Sequence, residues 1–367
     1  MWRLNRMLDL SPRKLLRDSL FQLLRKISET DDAKAMAART LQGLLQPRPD
    51  IGRPGSQLPE EELPYAELSA TGRSGHGPTR KDVVFISARF RTGSTLLWNI
   101  FRSLEGITSY YEPLNERQWF SPAARGTRTD PTHKNVDDYW REYDGLEELG
   151  KWYRLDWIDR NLFMDASFWD PALRRYIEIL IERAAGRPVL QFNRVDFRLP
   201  WLRKSFPAAR IVHLFRHPRD QWCSTLLDPR AFPVSRGMDE YRPHDHFYLR
   251  NWANDLKYQF PFLEETSTEH PYRMFYCIWR LSYAFGKRYS HFSLSFEDLI
   301  TETRGTLGAL FKFLGIEVSD WSRIESIVAR PQLGKWREYA PDAWFREHEE
   351  ACEQLLRDFQ AGAPLAQ

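Results

Sequence analysis

The spacing of apolar positions changes several times along the chain. Over residues 11–27, SPRKLLRDSLFQLLRKI, the apolar Leu15, Leu16, Leu20, Leu23, Leu24 and Ile27 recur at helical steps behind Ser11 and Pro12, a residue pair suited to a helix start, so an amphipathic helix is predicted. Residues 46–80 have no such period and are dense in Pro, Gly, Ser and charge, the composition of a linker. From residue 81 the pattern becomes short continuous apolar runs at 83–88, 189–192, 211–215 and 292–296, each of strand length and suited to burial on both faces. Helical stretches lie between them. The clearest spans 171–185, with Asp170 as cap, Pro171 in the first turn and Gly186 just past the end. Strands alternating with helices predict an α/β domain with a mainly parallel sheet, whose ligands bind beyond the carboxyl ends of the strands. The segment 119–169, thick with Trp, Tyr and Phe, is expected to form loops and helices over that edge.

The chain has 367 residues, room for one large domain with attachments. The division read from the pattern is a helical extension over 1–45, a linker over 46–80, the main domain over 81–358 and a tail over 359–367. Fifty-three basic against 50 acidic residues give a net charge of +3, too balanced for a protein that coats nucleic acid, and no nucleic-acid partner is expected. The excess sits in residues 1–27, where seven Lys and Arg face Asp9 and Asp18. A basic helix with a leucine face suits a membrane surface through residues 11–27, the chain's own core, or a second subunit of a homodimer. Cys223, Cys277 and Cys352 are an odd set without a C-x-x-C pair, which disfavours a disulfide framework and a cysteine-built zinc site. No apolar stretch approaches the roughly 18 residues of a membrane span, and no signal-peptide pattern opens the chain, so a cytoplasmic protein is expected.

The first strand runs into Ala88-Arg89-Phe90-Arg91-Thr92-Gly93-Ser94-Thr95, and a helix-like run follows up to Gly106. A tight glycine turn between a buried strand and a helix start points backbone N–H groups and the positive helix end at one place, a cradle for an anion. Set against G-x-x-x-x-G-K-[ST], the loop has Ser94 where the lysine belongs, and Arg91 supplies the charge instead. An ATP or GTP hydrolase is thereby disfavoured. Beyond the run 211–215 comes Arg216, with Ser224 eight residues on in the following helix. An arginine fork and a hydroxyl at the same sheet edge suit a phosphate monoester.

The pair RTGST and R-H-P-R-D-x-x-x-S resembles the two nucleotide-binding signatures of sulfotransferases that use 3′-phosphoadenosine 5′-phosphosulfate (PAPS). The resemblance implies a three-layer, P-loop-like α/β/α fold. It assigns Arg91, Thr92, Gly93, Ser94 and Thr95 to the 5′-phosphosulfate, and Arg216 and Ser224 to the 3′-phosphate. Phe206-Pro207-Ala208-Ala209-Arg210, Ser295-Phe296-Glu297-Asp298-Leu299 and Phe313-Leu314-Gly315 are also habitual in that family. Gly334-Lys335-Trp336-Arg337 resembles its late loop over the nucleotide, which brings in Lys335 and Trp336. The likeness spans about residues 81–358.

Sulfuryl transfer needs a base for the acceptor hydroxyl and donors for the charge growing on the leaving phosphate. In Ser109-Tyr110-Tyr111-Glu112-Pro113, after what should be the second strand, Glu112 stands where carbohydrate-type and many bacterial relatives carry a catalytic glutamate. The resemblance makes Glu112 the base and Arg91 the stabiliser of the bridging oxygen. Its bland reading is a loop glutamate paired with Arg91 or Arg117. The usual lysine before the second signature is missing; Gln191-Phe192-Asn193-Arg194 stands there, with Asn193 or Arg194 as substitutes near the substrate. The implied reaction moves a sulfuryl group from PAPS to the hydroxyl of a small-molecule or carbohydrate acceptor, a carbohydrate or glycolipid being favoured, leaves PAP and needs no metal. His244-Asp245-His246 is read as a charged loop, Cys223 as a packing thiol, and the aromatic cluster as core or lid with some ring stacking on substrate. The rival readings are a P-loop kinase or nucleotide hydrolase, and a non-catalytic nucleotide-binding assembly protein.

Overall fold

A computed structural model of the chain describes residues 80–361, apart from 131, 132, 134 and 265–269. The helical extension, the linker up to residue 79 and the tail beyond residue 361 lie outside the described residues. Among the described residues five strands are found, β1 (Val84–Ala88), β2 (Ile107–Tyr111), β3 (Arg187–Phe192), β4 (Arg210–Phe215) and β5 (Phe292–Ser295). They form one sheet in the order β2-β3-β1-β4-β5, and every pairing is parallel. The helices that matter below are α1 (Ser94–Arg102), α2 (Pro171–Arg183), α3 (Pro218–Thr225), α4 (Leu249–Leu256), α5 (Pro271–Tyr289), α6 (Phe296–Thr301), α7 (Thr303–Leu314) and α8 (Asp342–Gln360).

The two-residue alternation of a strand explains the layering. Val84, Ile86 and Ala88 of β1 share one buried cluster with Leu97, Ile100 and Phe101 of α1 and Leu307 and Leu310 of α7. Phe85 points the other way, into a cluster with Tyr176, Ile177 and Leu180 of α2. All five residues of β1 are buried, so the apolar run in the sequence corresponds to a central strand covered on both faces. The three-layer α/β/α architecture expected from the resemblance is what is found. A further buried cluster, with Trp222, Trp252, Tyr272 and Phe345, ties α3, α4, α5 and α8 together.

Three element ends differ from the expectation. Phe296 opens α6 instead of closing a strand, because the Ser295 hydroxyl accepts the Asp298 N–H at 3.0 Å and caps a helix with Glu297 and Asp298 in its first turn. Helix α2 starts as predicted, with the Asp170 carboxylate accepting the Leu173 N–H at 2.9 Å, but ends at Arg183. Gly186 is therefore no helix cap. It lies against the backbone of Gly106, whose carbonyl carbon would stand 2.6 Å from any Cβ placed there. Helix α8 runs to Gln360, into the segment expected as a tail.

From β1 the chain connects towards β2 on one side of the sheet, and from β4 towards β5 on the other. The crevice beyond the carboxyl ends of β1 and β4 is thus the switch point where such sheets bind ligands. Among the described residues no helix is long and apolar enough to cross a membrane.

Candidate active site

The loop after β1 is shaped by two left-handed residues, Arg91 at φ 64° and Gly93 at φ 86°. Thr92 braces it, its hydroxyl donating to the Arg89 carbonyl at 2.8 Å. Glycine is required at 93 on two grounds: its φ, and the Phe296 ring, which occupies the space a Cβ would need. The result is a turn that delivers Gly93, Ser94 and Thr95, at the amino end of α1, to the wall of a cavity. The first-turn amides of a helix have no acceptors within it, and the helix dipole is positive there.

The second predicted segment meets the first directly. Arg216, at the tip of β4, donates through Nη1 to the Arg91 carbonyl at 3.0 Å, and Arg91 Nε donates to the Ser224 hydroxyl of α3 at 3.0 Å. Arg216 Nε is buried with no hydrogen-bond partner among the described residues, and the guanidinium lies 4.8 Å over the Phe296 ring. Burial pulls this guanidinium below its ordinary pKa. The late loop is tethered to the same helix, since the buried Asp220 carboxylate accepts the Gly334 N–H at 2.8 Å and the Trp336 N–H at 3.2 Å. Lys335 consequently lines the cavity, whereas Trp336 does not. The indole is buried, parallel to the His217 ring at 6.3 Å and beneath Arg219 at 4.6 Å.

Glu112 follows β2 at φ 38° and is 6 % exposed. Its bland partners, Arg91 and Arg117, are not the ones it has. Asn193 donates to Oε1, Arg194 to Oε2 at 3.2 Å and Asn115 to Oε2 at 2.7 Å. These donors take three of the roughly four acceptor positions of a carboxylate. Arg194 is shared with Glu116 at 2.6 Å, and Glu116 also accepts from the Tyr248 hydroxyl at 2.9 Å. Burial alone would lower the Arg194 pKa, but the charges of Glu112 and Glu116 outweigh it and the net shift is upward. Asn193 and Arg194, just past β3, thus grip the Glu112 carboxylate.

Glu112, Arg91, Arg194, Arg216, Ser224 and Lys335 line one cavity of about 1430 Å³, above the roughly 300–1,000 Å³ typical of a pocket for one small ligand. Sequence reasoning missed three further members of its wall, Glu116, Tyr248 and His133. His133 hydrogen-bonds Thr95 at 3.3 Å and Tyr139 at 2.5 Å. Only the fold brings together residues 38 positions apart in no common motif. The side candidates resolve simply. Asp245 accepts the Leu249 and Arg250 N–H groups at 2.8 and 2.9 Å and so starts α4, and no cluster of metal-ligating side chains occurs among the described residues. Burial pushes the Cys223 thiol up to about 12, which suits packing and not nucleophilic attack. Of the aromatic segment, Trp119, Tyr139 and Trp157 are buried while Trp169 is exposed.

A model of the sulfotransferase family matches residues 83–320, more than half of the chain. Similar solved structures include the sulfotransferase STF9 from Mycobacterium avium, 13% identical, with a TM-score of 0.42 and coverage of 82% of this chain and 81% of that one. The sulfotransferase domain from the curacin biosynthetic pathway is 14% identical, with a TM-score of 0.38 and coverage of 77% and 98%. Mouse sulfotransferase SULT7A1 complexed with PAP is 11% identical, with a TM-score of 0.38 and coverage of 76% and 84%. No curated protein matches the sequence.

Proposed function

This chain belongs to the sulfotransferase family, and we propose that it moves a sulfuryl group from PAPS to the hydroxyl of an acceptor, a carbohydrate or glycolipid by preference. The observation that carries the donor assignment is the contact between the two anion-binding segments, Arg91 to Ser224 at 3.0 Å and Arg216 to the Arg91 carbonyl at 3.0 Å. The residues fit an anionic nucleotide. Arg216 keeps a buried N–H without a partner among the described residues, the loop delivers Gly93, Ser94 and Thr95 to the cavity wall, and the amino end of α1 favours negative charge. Arg91, Thr92, Gly93, Ser94 and Thr95 would hold the 5′ end, Arg216 and Ser224 the 3′-phosphate, and Lys335 the exposed flank. The donor supplies a sulfuryl group whose S–O bond to the 5′-phosphate breaks as the acceptor oxygen bonds to sulfur.

Within this reading Glu112 takes the acceptor's proton, and its three N–H partners fix the carboxylate in place for it. Arg91 answers the negative charge that the departing phosphate gains. Arg194 and Asn193 orient the base and stand next to the acceptor. For a polyhydroxyl acceptor, Glu116, Asn115 and Tyr248 offer further polar groups on the same wall, which supports the carbohydrate preference. Calorimetric titration tests the donor half: 3′,5′-ADP is expected to bind much more tightly than 5′-AMP, and equal affinities would reject the assignment. Mass-spectrometric screening of acceptors for an added sulfuryl group tests the other half.

A further inference from the structure

We propose that His133 is a positioning residue of the donor site, whose Nε2–H holds the Thr95 hydroxyl so that its proton is offered to an anion on the loop. The inference rests on the nucleotide reading above. It starts from a chain of hydrogen bonds on the cavity wall. Tyr139 Oη accepts the backbone N–H of Asp130 at 2.9 Å and lies 2.5 Å from His133 Nδ1. A phenol has one proton, and the proposal gives it to the imidazole nitrogen beside it. Nδ1 then accepts, and the neutral ring carries its own proton on Nε2.

Nε2 lies 3.3 Å from Thr95 Oγ1, and Thr95 Oγ1 lies 3.0 Å from Tyr111 Oη. A threonine hydroxyl has one proton and two lone pairs. With one lone pair filled by His133, the proton is left for Tyr111 or for an oxygen within the cavity, and a phosphate oxygen is the stronger acceptor. Tyr111 keeps its own proton, since burial and then the adjacent Glu112 charge raise the phenol well above its ordinary pKa. The charged groups acting on His133 are Asp130 and Arg91, and among the described residues its ring meets the hydroxyls of Thr95 and Tyr139 and, edge to face at 6.5 Å, the ring of Tyr111. Burial first, and Arg91 after it, lower the His133 pKa against the opposing pull of Asp130, which favours the neutral ring. Without His133 the Thr95 hydroxyl is free to turn its lone pairs towards the phosphate and repel it.

The test is a double-mutant cycle on the full chain, read as the Kd of 3′,5′-ADP by calorimetry, together with ¹⁵N NMR of the histidine rings. His133→Ala should weaken binding roughly five-fold, the size of one hydrogen bond, in the Thr95 background and less than two-fold in the Thr95→Val background. His133→Gln, whose amide N–H can reach Thr95, should recover most of the loss. NMR of the wild type should show the Nε2–H tautomer at His133. Equal losses in both backgrounds, or no rescue by glutamine, would reduce His133 to a structural residue. An Nδ1–H tautomer overturns the proposal without any ligand or variant. Wild-type protein that does not bind 3′,5′-ADP overturns the nucleotide reading instead, and the tautomer still decides whether His133 orients Thr95.

Discussion

Arg91 and Glu112, the two residues given chemical roles, are both non-glycine residues with a positive φ. Such conformations cost about 1–3 kcal/mol each and persist where the surroundings over-determine them. For Glu112 those surroundings are Asn193, Arg194 and Asn115; for Arg91 they are Ser224 and the Arg216 guanidinium. Glu112→Gln keeps the shape and removes the base, so kcat should fall by about 10²–10⁴ while the Kd of 3′,5′-ADP stays near its wild-type value. Wild-type turnover of an identified acceptor by this variant would send the search for the base elsewhere. Arg91→Ala should damage both quantities, because its charge meets the donor before and during transfer. Arg216→Ala should weaken 3′,5′-ADP by about 1.5–3 kcal/mol, the range for hydrogen bonds to charged groups; calorimetry on the single variant decides it. Arg91, Arg216 and Ser224 were legible in the sequence because each stands at a fixed offset from a strand end. His133, Glu116 and Tyr248 were not, since each reaches the cavity from a loop whose path no local pattern encodes.

The elements owe their places to burial that a linear pattern can show and to packing that it cannot. Strands β1 and β4 were readable as apolar runs because both faces are covered. The position of β5's end was not, because a single hydroxyl at Ser295 turns the next residue into a helix start. Close packing between β4 and α5 was equally silent. His213 on β4 lies where Gly286 of α5 leaves room for its ring, and burial, with a smaller push from Lys287, lowers its pKa to about 4. His270, which caps α5 through its Nδ1, is lowered to about 3, again chiefly by burial. Both rings are neutral when folded and would take a proton more readily when unfolded, near 6.5. The stability they give is therefore present above pH 6.5 and is lost as acid carries the pH down towards 4 and then 3. At about 1.4 kcal/mol per pKa unit, His213 alone contributes a slope worth about 3 kcal/mol. Tm measured from pH 7 to 4 should fall, and His213→Gln should flatten that fall; an unchanged profile would show that the ring opens to water on acidification.

At the scale of the molecule, a net charge of +3 hides how the charges are arranged around the cavity. The acidic residues of its wall are mostly committed: Glu112 and Glu116 to Arg194, Asp228 to Arg230, and Asp220 to the amides of residues 334 and 336. Arg91, with Asp130 4.0 Å away, Arg216 and Lys335 line the same cavity as the amino end of α1. A multiply charged phosphate commonly has its charge answered by magnesium held on carboxylates. Under the proposed reading, guanidinium and ammonium groups and helix amides would supply that countercharge in this cavity, and the position at which a P-loop carries its lysine is Ser94. The arrangement predicts that EDTA leaves both the Kd of 3′,5′-ADP and the rate of sulfuryl transfer unchanged. Raising the salt concentration should weaken nucleotide binding, because the charges that hold it lie in an open cleft within reach of screening ions. The two titrations separate the possible origins of the countercharge. Loss of turnover in EDTA that returns with magnesium would mean that the carboxylates of this wall serve a cation, and that the arginines alone do not carry the chemistry.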